Sequence, residues 1–377
     1  MTRLDAQMAF LNEADRLKSV TRANNLLDQS RAENSAEHSW HAALAAMIWL
    51  VDEDAALQTR AIRKLILHDL VEIDAGDHPI HLAHDDAAVA ADEARAAARL
   101  FGLLPPDLTT DFHGLWTRFE GHALPLAKVV DYALPVLMVS AAATPRDDHV
   151  TIARDNLTTG RARLVANHMP ALHGQLSHDL SLPGAAQDRI AARNAFLAEA
   201  DRLKSIHRAT TLCDASRHEN SAEHSWHLAL YAMTLADHAP SGVDIDRVIR
   251  MLLLHDLVEI DAGDVPLYAQ TPEIQARLEQ EEAAAARRLF GLLPHGEGAP
   301  LLSLWTEFEA AQTPDAQFAK ALDRFQPPNQ NLASGGVSWR AHNATFEVVE
   351  ARVAPAIKRA APQLWSWIAP QVQAALA

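Results

Sequence analysis

The chain is expected to be all-α, built as two helical bundles in tandem. Three observations predict this. Two long strings recur in the same order: Glu33–His41 returns as Glu219–His227, and Leu67–Asp77 returns as Leu254–Asp264. Apolar residues around these strings fall at three- and four-residue spacing, the period of a half-buried helix. Runs of alternating β-branched residues, which would mark strands, are missing.

The repeat organises the rest of the chain. Glu13–Ser19 matches Glu199–Ser205, the two strings follow, and Leu100–Pro105 matches Leu289–Pro294. The offset is 186 residues at His38/His224, 187 at His68/His255 and 192 at Asp131/Asp323. Drifts that small are changes of loop length, so the repeating unit is a whole domain and not a solenoid element. The expected division is a first domain over 1–180, a linker over 181–190 and a second domain over 191–377. Apolar periodicity lapses at the linker, and Pro183-Gly184 breaks helix there.

In the second copy, Ala222–Ala236 and Ile245–Val258 carry the helical spacing. Pro272–Leu289 is rich in Ala, Glu, Arg and Leu, with acidic residues early and Arg287-Arg288 late, as the helix dipole favours. A further helix is expected to end near Asp323.

Composition narrows the function classes. With 377 residues, 49% hydrophobic and 22% charged, the chain reads as a globular protein with room for two domains. No apolar run approaches twenty residues, so no membrane span is expected, and Met1–Glu13 lacks an apolar signal core. The single cysteine, Cys213, rules out an intramolecular disulfide and fits a cytoplasmic location. Leu27 stands at the matching place of the first copy, so Cys213 reads as a small buried hydrophobe. A formal charge of −16 disfavours a nucleic-acid partner, which would demand many cations against phosphates. It leaves a small anionic substrate open, because exposed charges are screened within about 8–10 Å at cellular salt.

The repeated strings concentrate metal-ligand chemistry. An aspartate directly after Met251-Leu-Leu-Leu-His255 is costly to bury unless it is paired or metal-bound. His224 on the preceding helix can supply a second imidazole, and Asp323 a second carboxylate. Two His and two Asp from three helices make a divalent-metal site with positions left open for water. A lone His is more often a satisfied core or surface residue; the joint pattern, intact in both copies, carries the reading.

His224, His255-Asp256 and Asp323 resemble the His…His-Asp…Asp signature of the HD-domain metal-dependent phosphohydrolases. The wider wording of the two strings resembles the 5′-deoxynucleotidase-like branch of that superfamily. The resemblance implies two tandem HD bundles forming a covalent pseudo-dimer. It implies one divalent ion per domain, from among Mn, Co, Zn, Fe, Ni and Mg. His38, His68, Asp69 and Asp131 would hold one ion, and His224, His255, Asp256 and Asp323 the other. It further implies a small phosphorylated substrate such as a (deoxy)nucleoside 5′-monophosphate, attacked by metal-activated water.

Glu259, and Glu72 in the first copy, would do acid/base work. Asp264 and Asp77, each after a glycine, would line the pocket against sugar or water. Arg208 and Arg22 would meet the substrate phosphate. Lys204 and Lys18, four residues earlier, would share the same side if that stretch were helical. Arg217 and Arg31 are weaker candidates for the same role.

The copies part after the last aspartate. Asp323 is followed by a polar, Gly-rich segment expected at the pocket mouth, and Asp131 by the apolar Tyr132-Ala-Leu-Pro-Val-Leu-Met-Val-Ser140. On that ground the C-terminal site is expected to be the more competent. Two alternatives stand beside this reading. One is a dinuclear oxygenase or phosphodiesterase on the same scaffold, which would draw extra ligands from His78, His81, His84, His113 or His122. The other is a metal-stabilised nucleotide-binding regulator without turnover.

Overall fold

A computed structural model describes residues 2–79, 81–120, 125–265 and 271–377. It divides into two compact units. The first unit comprises Leu17–Arg202 with Gly291–Gly298; the second comprises Met1–Arg16, Leu203–Phe290 and Ala299–Ala377. These boundaries correct the expected 1–180 and 191–377, because the opening helix of each copy belongs to the other unit. In the second unit, helix Arg3–Ala14 brings the Leu11 carbonyl to His227 Nε2 at 2.9 Å, and Gln7 Nε2 donates to the Thr234 carbonyl at 2.7 Å. In the first unit, helix Asp188–Ala200 brings the Leu197 carbonyl to His41 Nε2 at 3.0 Å, and Trp49 Nε1 donates to Asn194 Oδ1 at 2.9 Å. Repeat spacing locates the copies of a helix but carries no information about which core it joins.

Each unit is a helical bundle around one central helix, Ser35–Trp49 in the first and Ser221–Thr234 in the second, and every residue of both helices is buried. A helix enclosed on all sides cannot be amphipathic, which is why its polar and apolar residues do not segregate. The repeated Asn-Ser-Ala-Glu-His wording starts these helices. Asn34 Oδ1 accepts from Glu37 N at 3.0 Å while Glu37 Oε2 accepts from Asn34 N at 2.9 Å, a capping box that satisfies two orphan donors. Asn220 and Glu223 do the same at 3.0 and 2.9 Å. The cap sets the helix start and so places His38 and His224 just inside the first turn.

Against the central helix pack Ala55–Leu67 and Pro125–Ala141 in the first unit, and Ile245–Leu254 and Pro314–Ala333 in the second. Among the described residues, the helical rule is broken by one short antiparallel ribbon per unit. Thr21–Asn25 pairs with Ala32–Asn34, and His207–Thr211 pairs with His218–Asn220. Thr and Asn at these positions favour strand and turn over helix. The stretches Lys18–Arg22 and Lys204–Arg208 are therefore not helical throughout, as their four-residue spacing had suggested. Lys18 and Lys204 end a 3₁₀ turn, and Arg22 and Arg208 stand on the ribbon.

The segment after Asp323 also departs from expectation. Helix Pro314–Ala333 runs straight through it, and Gln326, Asn329, Gln330 and Asn331 are buried. Gln326 Nε2 donates to Glu219 Oε1 at 3.2 Å, Gln330 Nε2 to the Thr211 carbonyl at 2.7 Å and Asn329 Nδ2 to the Tyr231 hydroxyl at 2.8 Å. Its polarity serves internal hydrogen bonding, since buried amides need partners. Among the described residues no helix is long and apolar enough to cross a membrane.

Candidate metal centre

In each unit the His-Asp pair sits where a helix gives way. Helix Ala55–Leu67 ends at Leu67, His68–Val71 form a 3₁₀ turn, and Glu72–Ala75 make one more helical turn. The break from α-helix to 3₁₀ turn places the pair at the helix end, with His68 and Asp69 side chains meeting at 3.0 Å. Gly76 then takes φ +78° and ψ 161°, a region closed to L side chains, and this reversal brings Asp77 back to the centre. The second unit repeats the arrangement, with Gly263 at φ +75° before Asp264.

The four expected ligands converge in both units. In the first, His38 Nε2 lies 2.8 Å from Asp131 Oδ1, and His68 Nε2 lies 3.0 Å from Asp69 Oδ1 and 3.5 Å from Asp131 Oδ1. In the second, His224 Nε2 lies 3.2 Å from Asp323 Oδ1, and His255 Nε2 lies 3.1 Å from Asp256 Oδ1 and 3.9 Å from Asp323 Oδ1. The paired imidazoles stand 5.6 Å apart, centroid to centroid, in each unit.

The donor set fits a divalent cation. His68 Nδ1 and His255 Nδ1 each donate to a backbone carbonyl, of Leu65 and Leu252 respectively, at 2.8 Å. At His255, which burial holds below its usual range, that leaves Nε2 as a lone pair facing carboxylate oxygens. His255 Nε2 is buried and makes no hydrogen bond. Acceptors gathered this closely repel one another unless a cation lies between them.

Two further pairs surround the ligands, and sequence reasoning missed both although they lie inside the repeated strings. Glu33 Oε2 faces His38 Nδ1 at 3.5 Å and Glu219 Oε2 faces His224 Nδ1 at 3.4 Å, the positions from which a carboxylate orients a metal-ligating imidazole. Ser35 Oγ donates to Glu72 Oε2 and Ser221 Oγ to Glu259 Oε2. The signal was available: helix-start residues so close to a ligand position cannot point away from it.

The expected acid/base and phosphate residues gather at the same centres. Arg22 Nη1 lies 2.7 Å from Asp69 Oδ2, 3.3 Å from Glu72 Oε1 and 3.6 Å from Asp77 Oδ1. Arg208 Nη1 lies 2.7 Å from Asp256 Oδ2 and 3.5 Å from Glu259 Oε1. Burial works against both guanidinium charges, yet the surrounding carboxylates outweigh it and hold both arginines above their usual range.

Burial, reinforced by Asp69, pushes Glu72 well above the usual carboxylate range against the opposing charge of Arg22. Glu259 is raised likewise by burial and Asp256. Burial also raises Asp77 and Asp264, with the neighbouring arginine opposing. For Asp131, burial is outweighed by hydrogen bonds from His38 and His68, which hold it below its usual range.

Lys18 and Lys204 are both fully buried, and Lys18 is not among the residues lining the first centre's cavity. Arg31 and Arg217 instead clasp the capping glutamates Glu37 and Glu223.

A cavity of about 330 Å³ opens onto the first centre, with Arg22, His68, Asp69, Glu72, Asp77 and Asp131 along one side. Tyr132, Pro135, Val136 and Val139, the apolar run after Asp131, form another wall. The last aspartate is also more accessible here, with its side chain 15% exposed against 7% for Asp323. His78 and His81 line the cavity, but among the described residues they join no cluster of metal-ligating atoms. His84 is held by the Pro79 carbonyl, His113 packs on Phe101 and Trp116, and His122 lies outside the described residues.

A family model described as HD domain matches residues 14–173 and again 200–365. Human 5′-deoxynucleotidase HDDC2 is 30% identical over 111 residues, covering 29% of this chain and 52% of that protein. The 5′-deoxynucleotidase PM0747 of Pasteurella multocida (strain Pm70) is 29% identical over 163 residues, covering 41% of this chain and 83% of that protein. The chain spans about half the length of the vertebrate relatives it matches. The solved structure of a predicted metal-dependent phosphohydrolase from Magnetospirillum magnetotacticum MS-1 is 45% identical, covering 50% of this chain and 96% of that one, with a TM-score of 0.46.

Proposed function

The chain belongs to the HD-domain family in both of its halves, and from that membership we propose that it is a metal-dependent phosphohydrolase releasing phosphate from a small nucleotide, with a (deoxy)nucleoside 5′-monophosphate as the favoured class. The observation that carries the proposal is the first unit's cavity, which brings ligands, arginine and raised carboxyls to one open space. His38, His68, Asp69 and Asp131 would hold one ion, and His224, His255, Asp256 and Asp323 the other. A divalent ion so held supplies Lewis-acid chemistry, making water more acidic and offsetting phosphate charge.

The chain's own residues supply the rest. Arg22 is kept charged by three carboxylates and lies within reach of a phosphate beside Asp69. Burial and Asp69 push Glu72 well above the usual carboxylate range, which suits a residue that passes a proton to the departing ester oxygen. Asp77, reversed into the cavity by Gly76, faces the sugar or a water. Arg208, Glu259 and Asp264 have the same places in the second unit. The expected advantage of the C-terminal site rested on the polar segment after Asp323, whose Gln326, Asn329, Gln330 and Asn331 are buried, so we assign the larger share of turnover to the first centre, where the cavity lies. The duplication and the exchanged opening helices support reading the chain as a covalent pseudo-dimer.

Metal-stripped protein resupplied with Mn²⁺, Co²⁺ or Zn²⁺ is expected to release phosphate from a panel of nucleoside 5′-monophosphates, in proportion to metal restored. Release from no monophosphate, triphosphate or cyclic nucleotide would sink the proposal and favour a nucleotide-binding regulator. Glu219→Gln tests the carboxylate behind His224. It is expected to weaken metal retention at the second centre by about 10–100-fold in a chelator competition, with helical content unchanged. Retention equal to the parent protein would show that Glu219 does not orient His224.

A further inference from the structure

The cavity at the first centre is longer than a phosphate needs. Beyond Asp131 it continues between helix Pro125–Ala141 and helix Asp147–Thr158, which are joined by a five-residue turn and so run antiparallel. One wall carries Val136 and Val139, three residues apart, and the other Ile152 and Ala153, three and four residues after His149, the spacings that align side chains on one helix face. Eight residues separate Asp131 from Val139, about 12 Å along the helix axis at 1.5 Å per residue. In an antiparallel hairpin the start of the second helix lies beside the end of the first. Asp148 and His149 therefore stand at the open end of the slot away from the metal ligands, and both line it, Asp148 with its side chain 56% exposed.

This shape suits a flat ring with apolar faces and a polar edge, held one sugar's length from the phosphate. Asp148 decides which edge. Its Oδ1 accepts from Arg146 Nε at 3.1 Å and from His149 N at 3.0 Å, and its Oδ2 accepts from Arg146 Nη2 at 2.7 Å. A carboxylate offers about four acceptor sites, so one remains, and an ionised carboxylate cannot donate. The Arg146 bond holds Asp148 down to about 2, so it is ionised throughout the physiological range.

Resting on the phosphohydrolase reading above, we propose that this slot seats the nucleobase at the first centre. Asp148 selects bases that present an exocyclic amino group, adenine, cytosine and guanine, over thymine, which has none. The second unit differs in register: at the same distances after its last aspartate, Pro328 and Asn331 replace Val136 and Val139.

The test uses the full chain carrying Asp256→Ala, so that turnover reports the first centre. Substrates are the 5′-monophosphates of deoxyadenosine, deoxycytidine and thymidine, with p-nitrophenyl phosphate as a base-free ester. The kcat/KM for the two amino-bearing nucleotides is expected to exceed that for thymidine monophosphate by about tenfold, the size of one hydrogen bond to a charged group. Adding Asp148→Asn is expected to bring that ratio to within about twofold and leave p-nitrophenyl phosphate unchanged. Ile152→Trp, which fills the slot, is expected to raise KM for every nucleotide about tenfold and spare the base-free ester. Equal rates on all three nucleotides, a ratio untouched by Asp148→Asn, or equal slowing of the base-free ester by Ile152→Trp would each overturn the inference. Release from no ester at all would instead overturn the phosphohydrolase reading, and this inference with it.

Discussion

Asp69→Ala is expected to cut phosphate release by the full chain at least about 100-fold and to lower the metal content by one ion per chain. Asp256→Ala is expected to remove the other ion with a much smaller loss of turnover. The scale follows from two effects. Changes in the shell outside a metal typically cost 10–100-fold, and Asp69 is a proposed ligand itself. Its loss also frees Arg22 from its 2.7 Å partner, so the guanidinium swings toward Glu72 and Asp77 and favours the ionised form of Glu72, which cannot donate a proton. The same two effects operate at Asp256, but there the last ligand is more deeply enclosed and the polar stretch after it is committed to internal hydrogen bonds. Elemental analysis and phosphate release on the two single variants check this together. Silence after Asp256→Ala with activity kept after Asp69→Ala would reverse the assignment.

Deleting residues 1–16 is expected to unfold the second unit and leave the first intact. The deleted helix buries Leu4, Met8, Phe10 and Leu11 in the second unit's core. At about 1.5–3 kcal/mol for each large apolar side chain, those four supply roughly 6–12 kcal/mol. A whole domain is stable by only about 5–15 kcal/mol, so the loss is comparable to everything the unit has. It also removes Asp15, whose Oδ2 accepts from Cys213 N at 2.7 Å. Hydrogen exchange should show protection lost across 203–290 and kept across 17–202, with one metal ion remaining per chain. Damage confined to 17–202 would mean that the helix belongs to its own copy after all.

The duplication, the four ligands and the acid/base candidates were legible because they lie in strings whose chemistry has no structural use unless it converges. The breaks were less so. The ribbon that carries Arg22 and Arg208 was out of reach, because five residues such as Thr21–Asn25 have too little pattern to oppose a helical context. The polar run from Gln326 to Asn331 looked like surface. Polarity in a sequence records the need for hydrogen bonds and not where they are found, and Gln330 finds its partner on a buried ribbon carbonyl. The exchanged helices were beyond reach for another reason: Arg3–Ala14 and Asp188–Ala200 have nearly interchangeable neighbours, and only the connecting path decides between them.

That exchange also orders events during synthesis. Helix Arg3–Ala14 is translated early, yet its core begins only at Leu203. At about 5–20 residues per second it waits roughly 10–40 s for the first of that core to appear. Through that interval Leu4, Met8, Phe10 and Leu11 face the ribosome and its chaperones with no native partner. Splitting the gene at the visible repeat boundary would make the wait permanent, giving two polypeptides that each need the other's first helix.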